Sequence, residues 1–378
     1  MPALFLTASL LGLAQAADPS STSTTEAAAH ASLPDGVERC STPEGSLVEC
    51  HLRIPCGPGP KGVAFSPDSS QIWVSLLGGP PSVEVYSVAT GEKLHSLDLG
   101  DNGAVEVRFS SDGSTAFVSQ METASVYEIN AQSFEVEAQH TTRSTWSKVV
   151  TSSQDDRWLY VSNWIGNDVS QIDRSGQEPT RRISTAKTPR GLYLTEDGST
   201  LYVASFGAGK LQRIQTATRQ VEDLYQGGVM RHLVADETQD ALFASDMRRG
   251  HILKHRLSTG STSVLAGTDA NPNTIDLSPD GRVLAVSCRG RNNRVSYYQP
   301  GPEWGSVLLF DTQTGRKLDA LVGGNQPTGL DISPDGQWLA YTDLLDNQVT
   351  LIQLPDSTVL LNGSGGRSDR YKAEMRKP

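Results

Sequence analysis

Residues 189–225 read PRGLYLTEDGSTLYVASFGAGKLQRIQTATRQVEDLY, and a similar segment occurs about seven times between residues 60 and 354. In this copy, four short runs of aliphatic, aromatic or β-branched residues lie at 192–194, 201–204, 211–214 and 221–224. Gly, Asp, Ser or Thr separates the runs, a pattern that predicts four short strands. The chain is therefore expected to repeat a four-stranded unit.

A turn aspartate sets the period of the repeat. Its equivalents are Asp68, Asp112, Asp155, Asp197, Thr238, Asp280 and Asp335. The anchors lie 41 to 44 residues apart except for a last step of 55, and propeller blades repeat every 40 to 50 residues or so. One such sheet cannot bury both faces, and radial stacking leaves few exposed edges. The sequence therefore predicts an all-β fold, a seven-bladed β-propeller of four-stranded antiparallel blades.

The strand after each turn resembles a known repeat. It reads IWVS at 72–75, AFVS at 116–119, LYVSN at 159–163, LYVAS at 201–205 and LAVS at 284–287. These strands resemble the WD40-like YVTN-repeat β-propeller family, whose signature is closest in Tyr160-Val161-Ser162-Asn163. The resemblance covers residues 58–354 and implies the fold. It does not select an activity, because the fold hosts surface-layer proteins, ligand-binding modules, lactonases and redox-cofactor domains.

The composition and the N-terminal residues limit which classes of function are possible. The formal charge of −11 argues against general nucleic-acid binding, which needs a basic face. Residues 1–16 hold an apolar run that ends in Ala-Gln-Ala, which predicts a cleaved signal peptide and a secreted or periplasmic protein. No later run is long enough to predict a transmembrane segment. Residues 17–36 are expected to be a disordered Ser/Thr/Ala linker, 37–362 one propeller domain, and 363–378 a mobile basic tail.

Export permits disulfides, and three of the four cysteines cluster near the N-terminus. Cys40, Cys50 and Cys56 lie within 17 residues of one another, and Cys288 is far away. One bridge among the first three is expected, with a second to Cys288 possible. A metal site with His51 is the alternative. Residues 47–54 alternate apolar and polar side chains, so we predict that they close the ring against the last blade, with residues 359–361 as a competitor.

One loop is much longer than its equivalents and accounts for the 55 residues between the last two turn anchors. It comprises residues 289–305, RGRNNRVSYYQPGPEWG, between the second and third strands of the sixth copy. Loops this long are usually functional or disordered. Tyr297, Tyr298 and Trp304 stand beside Arg289, Arg291 and Arg294 in it. The segment predicts a lid over a ligand, or alternatively a packing flap.

Aligned positions of a propeller form rings around its channel, and one such ring is cationic. Seven residues before each anchor stand Lys61, Val105, Lys148, Arg190, Arg231, Asn273 and Thr328. Like charges placed close together repel one another, and an anionic ligand would offset this repulsion. Arginine offers bidentate geometry to carboxylate or phosphate. The alternatives are inter-blade salt bridges to Asp246 and Asp343, or solvated charges.

Two further rings supply candidate residues. The next position is mostly small or apolar, with Glu106 and His232 as exceptions that could act as base and acid. A rim of apolar residues, with Trp164 and Phe206 foremost, could hold the non-ionic part of a ligand. A ring of hydroxyls at Ser75 and its equivalents is expected to hydrogen-bond the strand ends.

The sequence thus predicts a monomeric binding module for an anionic small molecule or an extended protein segment. Its candidate ligand-binding residues are Lys61, Lys148, Arg190, Arg231, Asn273, Asp246, Trp164, Phe206, Arg289, Tyr297 and Trp304. No cofactor and no metal are predicted. The alternatives are an enzyme of lactonase or cycloisomerase type acting on a carboxylated substrate, and a structural envelope protein.

Overall fold

A computed structural model describes residues 32–363, 367 and 370–378. The predicted signal peptide, and the predicted linker up to residue 31, lie outside the described residues. Residues Pro34–Pro378 form one unit.

Seven antiparallel sheets make up the fold, as the repeat predicts. Before the first blade come β1 (Glu38–Arg39) and β2 (Glu49–Pro55). Blade one comprises β3 (Pro60–Phe65), β4 (Gln71–Leu76), β5 (Val83–Ser87) and β6 (Lys93–Leu97). Blade two comprises β7 (Glu106–Phe109), β8 (Thr115–Gln120), β9 (Ser125–Asn130) and β10 (Val136–Thr141). Blade three comprises β11 (Ser147–Ser152), β12 (Trp158–Asn163), β13 (Asp168–Asp173) and β14 (Arg181–Ser184).

The remaining blades follow in chain order. Blades four and five comprise β15 (Pro189–Leu194), β16 (Thr200–Ser205), β17 (Lys210–Gln215), β18 (Val221–Gln226); and β19 (Met230–Asp236), β20 (Ala241–Asp246), β21 (His251–Arg256), β22 (Thr262–Gly267). Blades six and seven comprise β23 (Pro272–Leu277), β24 (Val283–Cys288), β25 (Ser306–Asp311), β26 (Lys317–Val322); and β27 (Pro327–Ile332), β28 (Trp338–Asp343), β29 (Gln348–Gln353). The helices α1 (Ser357–Asn362) and α2 (Tyr371–Glu374) come last.

The core lies between the blades. The second strands are buried along nearly their whole length, because both of their faces pack against neighbouring blades. Trp73, Phe117, Phe243 and Phe310 are among the largest fully buried side chains. Burial of this apolar surface, at about 25 cal/mol per Å², explains why isolated blades are not expected to be stable.

The turn aspartates act locally. Asp112 accepts hydrogen bonds from Ser110 Oγ at 2.7 Å and Ser114 N at 2.9 Å, and Asp280 accepts one from Ser278 Oγ at 2.6 Å. Each carboxylate thereby holds the tight connection between the first and second strands of its blade.

The N-terminal strand β2 closes the ring, as predicted. It pairs antiparallel with β29 from Glu49↔Gln353 to Pro55↔Gln348, and the inner strands β3, β7, β11, β15, β19, β23 and β27 each contact the next around the circle. The competing residues 359–361 lie in α1 instead. Seven closed blades put the first strand of every blade at the channel.

A disulfide and one carboxylate fasten the start of the chain. Cys40 and Cys50 form a bridge, which confirms one expected pairing, whereas Cys56 and Cys288 are free thiols and form no second bridge. Asp319 in β26 accepts hydrogen bonds from Ser46 Oγ at 2.8 Å and from the amides of residues 47 and 48.

Residues 370–378, part of the predicted mobile tail at 363–378, contact the blades. Tyr371 is 1% exposed and Met375 6% exposed. The Trp304 amide donates to the Met375 carbonyl at 2.8 Å, and Lys377 Nζ lies 4.4 Å from the centre of the Trp304 ring. Two apolar side chains and these contacts pack residues 370–378 against the body of the protein. Among the described residues, no helix has the length and apolar character needed to cross a membrane.

Candidate functional site

Backbone bulges turn the cationic ring toward the channel mouth. In six of the seven inner strands the pairing register shifts across the ring position, for example between Pro60 and Gly62 around Lys61, and between Pro189 and Gly191 around Arg190. The same shift occurs in β11, β19, β23 and β27. A bulge re-aims a side chain that regular pairing would direct elsewhere. The four cations at these positions line one cavity, whereas Asn273 and Thr328 do not.

The predicted hydroxyl ring holds these bulges in register. Ser162 Oγ accepts from Val149 N at 3.1 Å in its own blade and donates to Arg190 O at 2.8 Å in the next. Ser75 and Ser245 bridge adjacent blades in the same way. The hydroxyls therefore serve strand-end hydrogen bonding, and each one fixes the backbone of the neighbouring ring residue.

A cavity of about 690 Å³ lies at this mouth. Its cationic lining comes from five blades and comprises Lys61, Lys148, Arg190, Arg231 and Arg289. Its apolar lining includes Leu77, Met121, Trp146, Trp164, Phe206, Met247 and Leu344. Tyr297 and Tyr298 of the long loop complete it. Predicted cations, rim and loop thus meet at one place.

Two of the arginines differ in their partners. Arg190, 3% exposed, has Nη1 3.5 Å from Glu106 Oε2, a contact between blades four and two. Arg231, 5% exposed, makes no side-chain hydrogen bond or ion pair with any described residue. Burying an unpaired charge is costly; the charge of Glu106 acts on Arg231, but the two side chains form no ion pair.

The pKa values record this crowding. Burial, then the charges of Arg190 and Arg231, lower the pKa of Lys148 to about 7. Burial, then Arg231 and Arg289, lower the pKa of Lys61 well below its ordinary value. Burial and Arg190 act in the same direction on the pKa of Arg231. The cluster destabilises its own positive charge and would be relieved by an anion.

The long loop reaches over the cavity from the side of blade six. Arg289 lies 4.4 Å from the centre of the Tyr297 ring, and Lys61 Nζ donates to Tyr297 Oη at 3.3 Å. Gln326 Nε2 donates to the Tyr297 carbonyl at 2.5 Å, and Gln326 Oε1 accepts from Arg289 Nη2. These contacts hold Tyr297 against two of the cations.

On the opposite side, aromatic rings form a wall. Trp164 and Phe206 lie 4.8 Å apart, and Lys148 Nζ is 5.5 Å from Trp164 and 5.4 Å from Trp146. Trp146, 39% exposed, was not among the sequence candidates. Its position two residues before Lys148 was the only available signal.

Three predicted binding residues lie elsewhere. Trp304 packs under Lys377 and lines a different cavity. Asn273 is fully buried with both side-chain polar atoms unpaired, and it does not line the mouth. Asp246 accepts from Val229 N at 2.9 Å and lies 3.9 Å from Arg249.

The salt-bridge alternative named Asp246 and Asp343 as the acids that pair with the ring cations. Asp343, like Asp246, has its own partners, since it accepts from Gly324 N and Gln348 Nε2. Neither carboxylate reaches a ring cation in the described part of the chain, so these two acids do not neutralise the ring.

His232 and Glu106 occupy different environments. Burial, then Arg190 and Arg231, lower the pKa of His232 to about 3, and its Nδ1 is buried without a partner. The imidazole is therefore neutral at neutral pH, and a group that ionises so low is a weak base. Glu106 is engaged by Arg190. Catalysis by this pair stays a prediction.

A deeper layer of the channel escaped the sequence analysis. Asp276 and Asp331, on the inner strands of blades six and seven, lie close enough for the charge of Asp276 to raise the pKa of Asp331. Asp276 Oδ2 accepts from Ile332 N at 2.8 Å and Asp331 Oδ2 from Phe65 N at 2.7 Å. Each acid thus ties its blade to the next one.

Comparison with known proteins shows the family. The chain is 32% identical over 320 residues to Antigen Lp49 of Leptospira interrogans serogroup Icterohaemorrhagiae serovar copenhageni (strain Fiocruz L1-130), across 81% of this chain and 70% of that protein. The chain belongs to the family of Antigen Lp49. No family model matches it. The solved structure of Kuenenia stuttgartiensis Hydrazine Synthase superposes with a TM-score of 0.59 at 21% identity, over 71% of this chain and 80% of that one, which shows a shared fold alone.

Proposed function

We propose that this member of the Antigen Lp49 family is an extracellular or envelope β-propeller that binds an anionic ligand at the mouth of its central channel. One observation carries the proposal: Arg231 is buried beside other cations and has no partner among the described residues. An anion in the cavity would supply the missing counter-charge, with bidentate hydrogen bonds to the guanidinium.

The compartment follows from two observations. Disulfides form in oxidising surroundings, and the chain has the Cys40–Cys50 bridge. Its relative is named as an antigen, which fits a protein met outside the cell. We also propose that the predicted signal peptide directs secretion. We propose further that the repeats, such as the one containing residues 160–163, are of the YVTN type.

The binding proposal is favoured over a purely structural role because the hydroxyl ring and the backbone supply hydrogen bonds between adjacent blades. The side chains of Lys61, Lys148 and Arg231 take no part in these bonds. An extended protein segment with a carboxylate remains a second kind of occupant for the same mouth.

A thermal-shift screen tests the proposal. Wild-type protein at neutral pH is heated with succinate, citrate, inorganic phosphate and phenyl phosphate, with chloride at equal ionic strength as control. A ligand at 100 times its Kd stabilises the native state by about 2.7 kcal/mol, so the melting temperature should rise with one or more of these anions. If all of them leave it at the chloride value, the anion-binding function is rejected.

A further inference from the structure

The lining of the mouth defines a class of ligand, and this inference rests on the proposed function. We infer that the cavity takes a dianion that carries an apolar, preferably aromatic, arm, such as an aryl phosphomonoester or an aryl dicarboxylate. Three features of the cavity lead to it: the charge surplus, the one-sided aromatic wall and the size.

The charge surplus exceeds what one negative charge can balance. Five cations line the cavity. Two carboxylates stand against them, Glu106 at 3.5 Å from Arg190, and Glu122 in the lining. The formal surplus is three positive charges, and a monoanion would leave most of it in place. A dianion removes more of the mutual repulsion.

The cations also stand on more than one side of the cavity. Lys148, Arg190 and Arg231 come from three consecutive blades, whereas Lys61 and Arg289 come from blades one and six, under Tyr297. An anionic head with several acceptor oxygens can contact both groups, as a phosphate or two carboxylates can.

The tryptophans and the phenylalanine of the lining lie on the side of blades three and four, whereas its aliphatic and methionine side chains come from other blades. Trp146, Trp164 and Phe206 stand there, next to Lys148. An arm attached to the anionic head would lie against these rings, and aromatic pairs prefer such tilted or offset contacts. Tyr297 occupies the opposite side, where it contacts Lys61 and Arg289.

The size favours a small molecule over a peptide. The volume is about 690 Å³, within the range of about 300 to 1,000 Å³ common for small-molecule sites. The contact of Tyr297 with Lys61 closes part of the mouth, which leaves less room for a chain passing through.

Calorimetric titrations of the wild type at pH 7 test the inference with five probes. These are phenyl phosphate, phenylsuccinate, benzoate, inorganic phosphate and benzyl alcohol. Both aryl dianions should bind at least about tenfold more tightly than benzoate, and phenyl phosphate at least about tenfold more tightly than inorganic phosphate. Benzyl alcohol should not bind. Trp164→Leu should weaken phenyl phosphate by about tenfold more than it weakens inorganic phosphate.

Each of the following results would overturn one part of the inference or of the proposed function. Equal binding of benzoate and phenyl phosphate removes the dianion requirement, and equal binding of the two phosphates removes the apolar arm; in both cases the anion-binding function stands. A Phe- and Asp-containing hexapeptide that binds more tightly than every small probe assigns the mouth to a protein segment and overturns the ligand class. No binding by any anion rejects the proposed function itself.

Discussion

Arg190 and Glu106 come from non-adjacent blades, yet Arg190 Nη1 lies 3.5 Å from Glu106 Oε2. The channel below its mouth is therefore narrow enough for two side chains to span it. This contact neutralises one cation of the ring and leaves Arg231 without a partner in the described residues. The proposed anion-binding function rests on this uneven distribution of counter-charge.

Binding of a dianion should depend on pH through Lys148. Its pKa is lowered to about 7 in the free protein by burial and by Arg190 and Arg231, and a bound dianion would raise it. Below pH 7 the lysine is already charged. Above pH 7 the complex must take up a proton, so affinity for phenyl phosphate falls as pH rises, by up to tenfold per unit. Titrations between pH 6.5 and 9 in two buffers of different ionisation enthalpy measure the uptake.

Lys148→Met provides the control for that profile. The variant lacks the titrating amine and keeps a side chain of similar length, so its alkaline decline should be much flatter. A decline as steep as that of the wild type would assign the pH dependence to another group.

The Asp276–Asp331 pair should make stability fall as pH rises. Burial raises the pKa of Asp276 to about 6, and burial and the charge of Asp276 raise the pKa of Asp331 well above its ordinary value. Between pH 4 and 6 the unfolded chain loses these protons while the native state retains them, so stability is lost across that interval and stays reduced above it.

Asp331→Asn tests the carboxyl pair. The amide oxygen can still accept from Phe65 N, and the amide nitrogen can donate to Asp276. The variant should match the wild type near pH 4 and be more stable by about 1–2 kcal/mol at pH 8. Calorimetric melting at the two pH values measures this, with Asp101→Asn on the surface as control. A constant difference at both pH values would contradict the raised pKa values of the pair.

Asp319 should be essential for the closure of the ring. Asp319→Ala leaves Ser46 and the amides of residues 47 and 48 without their acceptor, and buried unsatisfied donors cost about 1–3 kcal/mol each. We expect a loss of about 2–4 kcal/mol and faster hydrogen exchange in β2. Ser46→Ala, which removes a single donor, should cost less than half as much. Unchanged exchange in β2 would show that the disulfide alone holds the strand.

The sequence was sufficient for the fold because its signals are local. The turn aspartates recur at a near-constant spacing, and the strand that follows each turn has its own pattern, so seven units could be counted before any contact was known. The closure of the ring by β2 could be predicted because residues 47–54 alternate apolar and polar side chains. The packing of Tyr371 and Met375 could not be predicted from the sequence, because they are isolated residues among charges and their contacts depend on the assembled ring.

The site could be predicted only in part, for a related reason. Residues at the same distance from each turn anchor occupy equivalent positions in the blades. The sequence alone could therefore group Lys61, Lys148, Arg190 and Arg231. The bulges that aim them, the Arg190–Glu106 contact across the channel and the Asp276–Asp331 pair depend on distances between blades, which spacing does not contain. Trp304 was misplaced because a loop of this length can direct its aromatic side chains to either face.

The central claim is that buried, unpartnered Arg231 binds an anion, and calorimetric titration of phenyl phosphate into Arg231→Gln tests it most directly. Arg213→Gln, which removes a surface arginine paired with Glu222, is the matched control. The account predicts at least about a tenfold loss of affinity in Arg231→Gln, none in Arg213→Gln, and a melting temperature of the Arg231 variant no lower than that of the wild type, because repulsion within the cluster is relieved. Equal affinity in all three proteins would contradict the account.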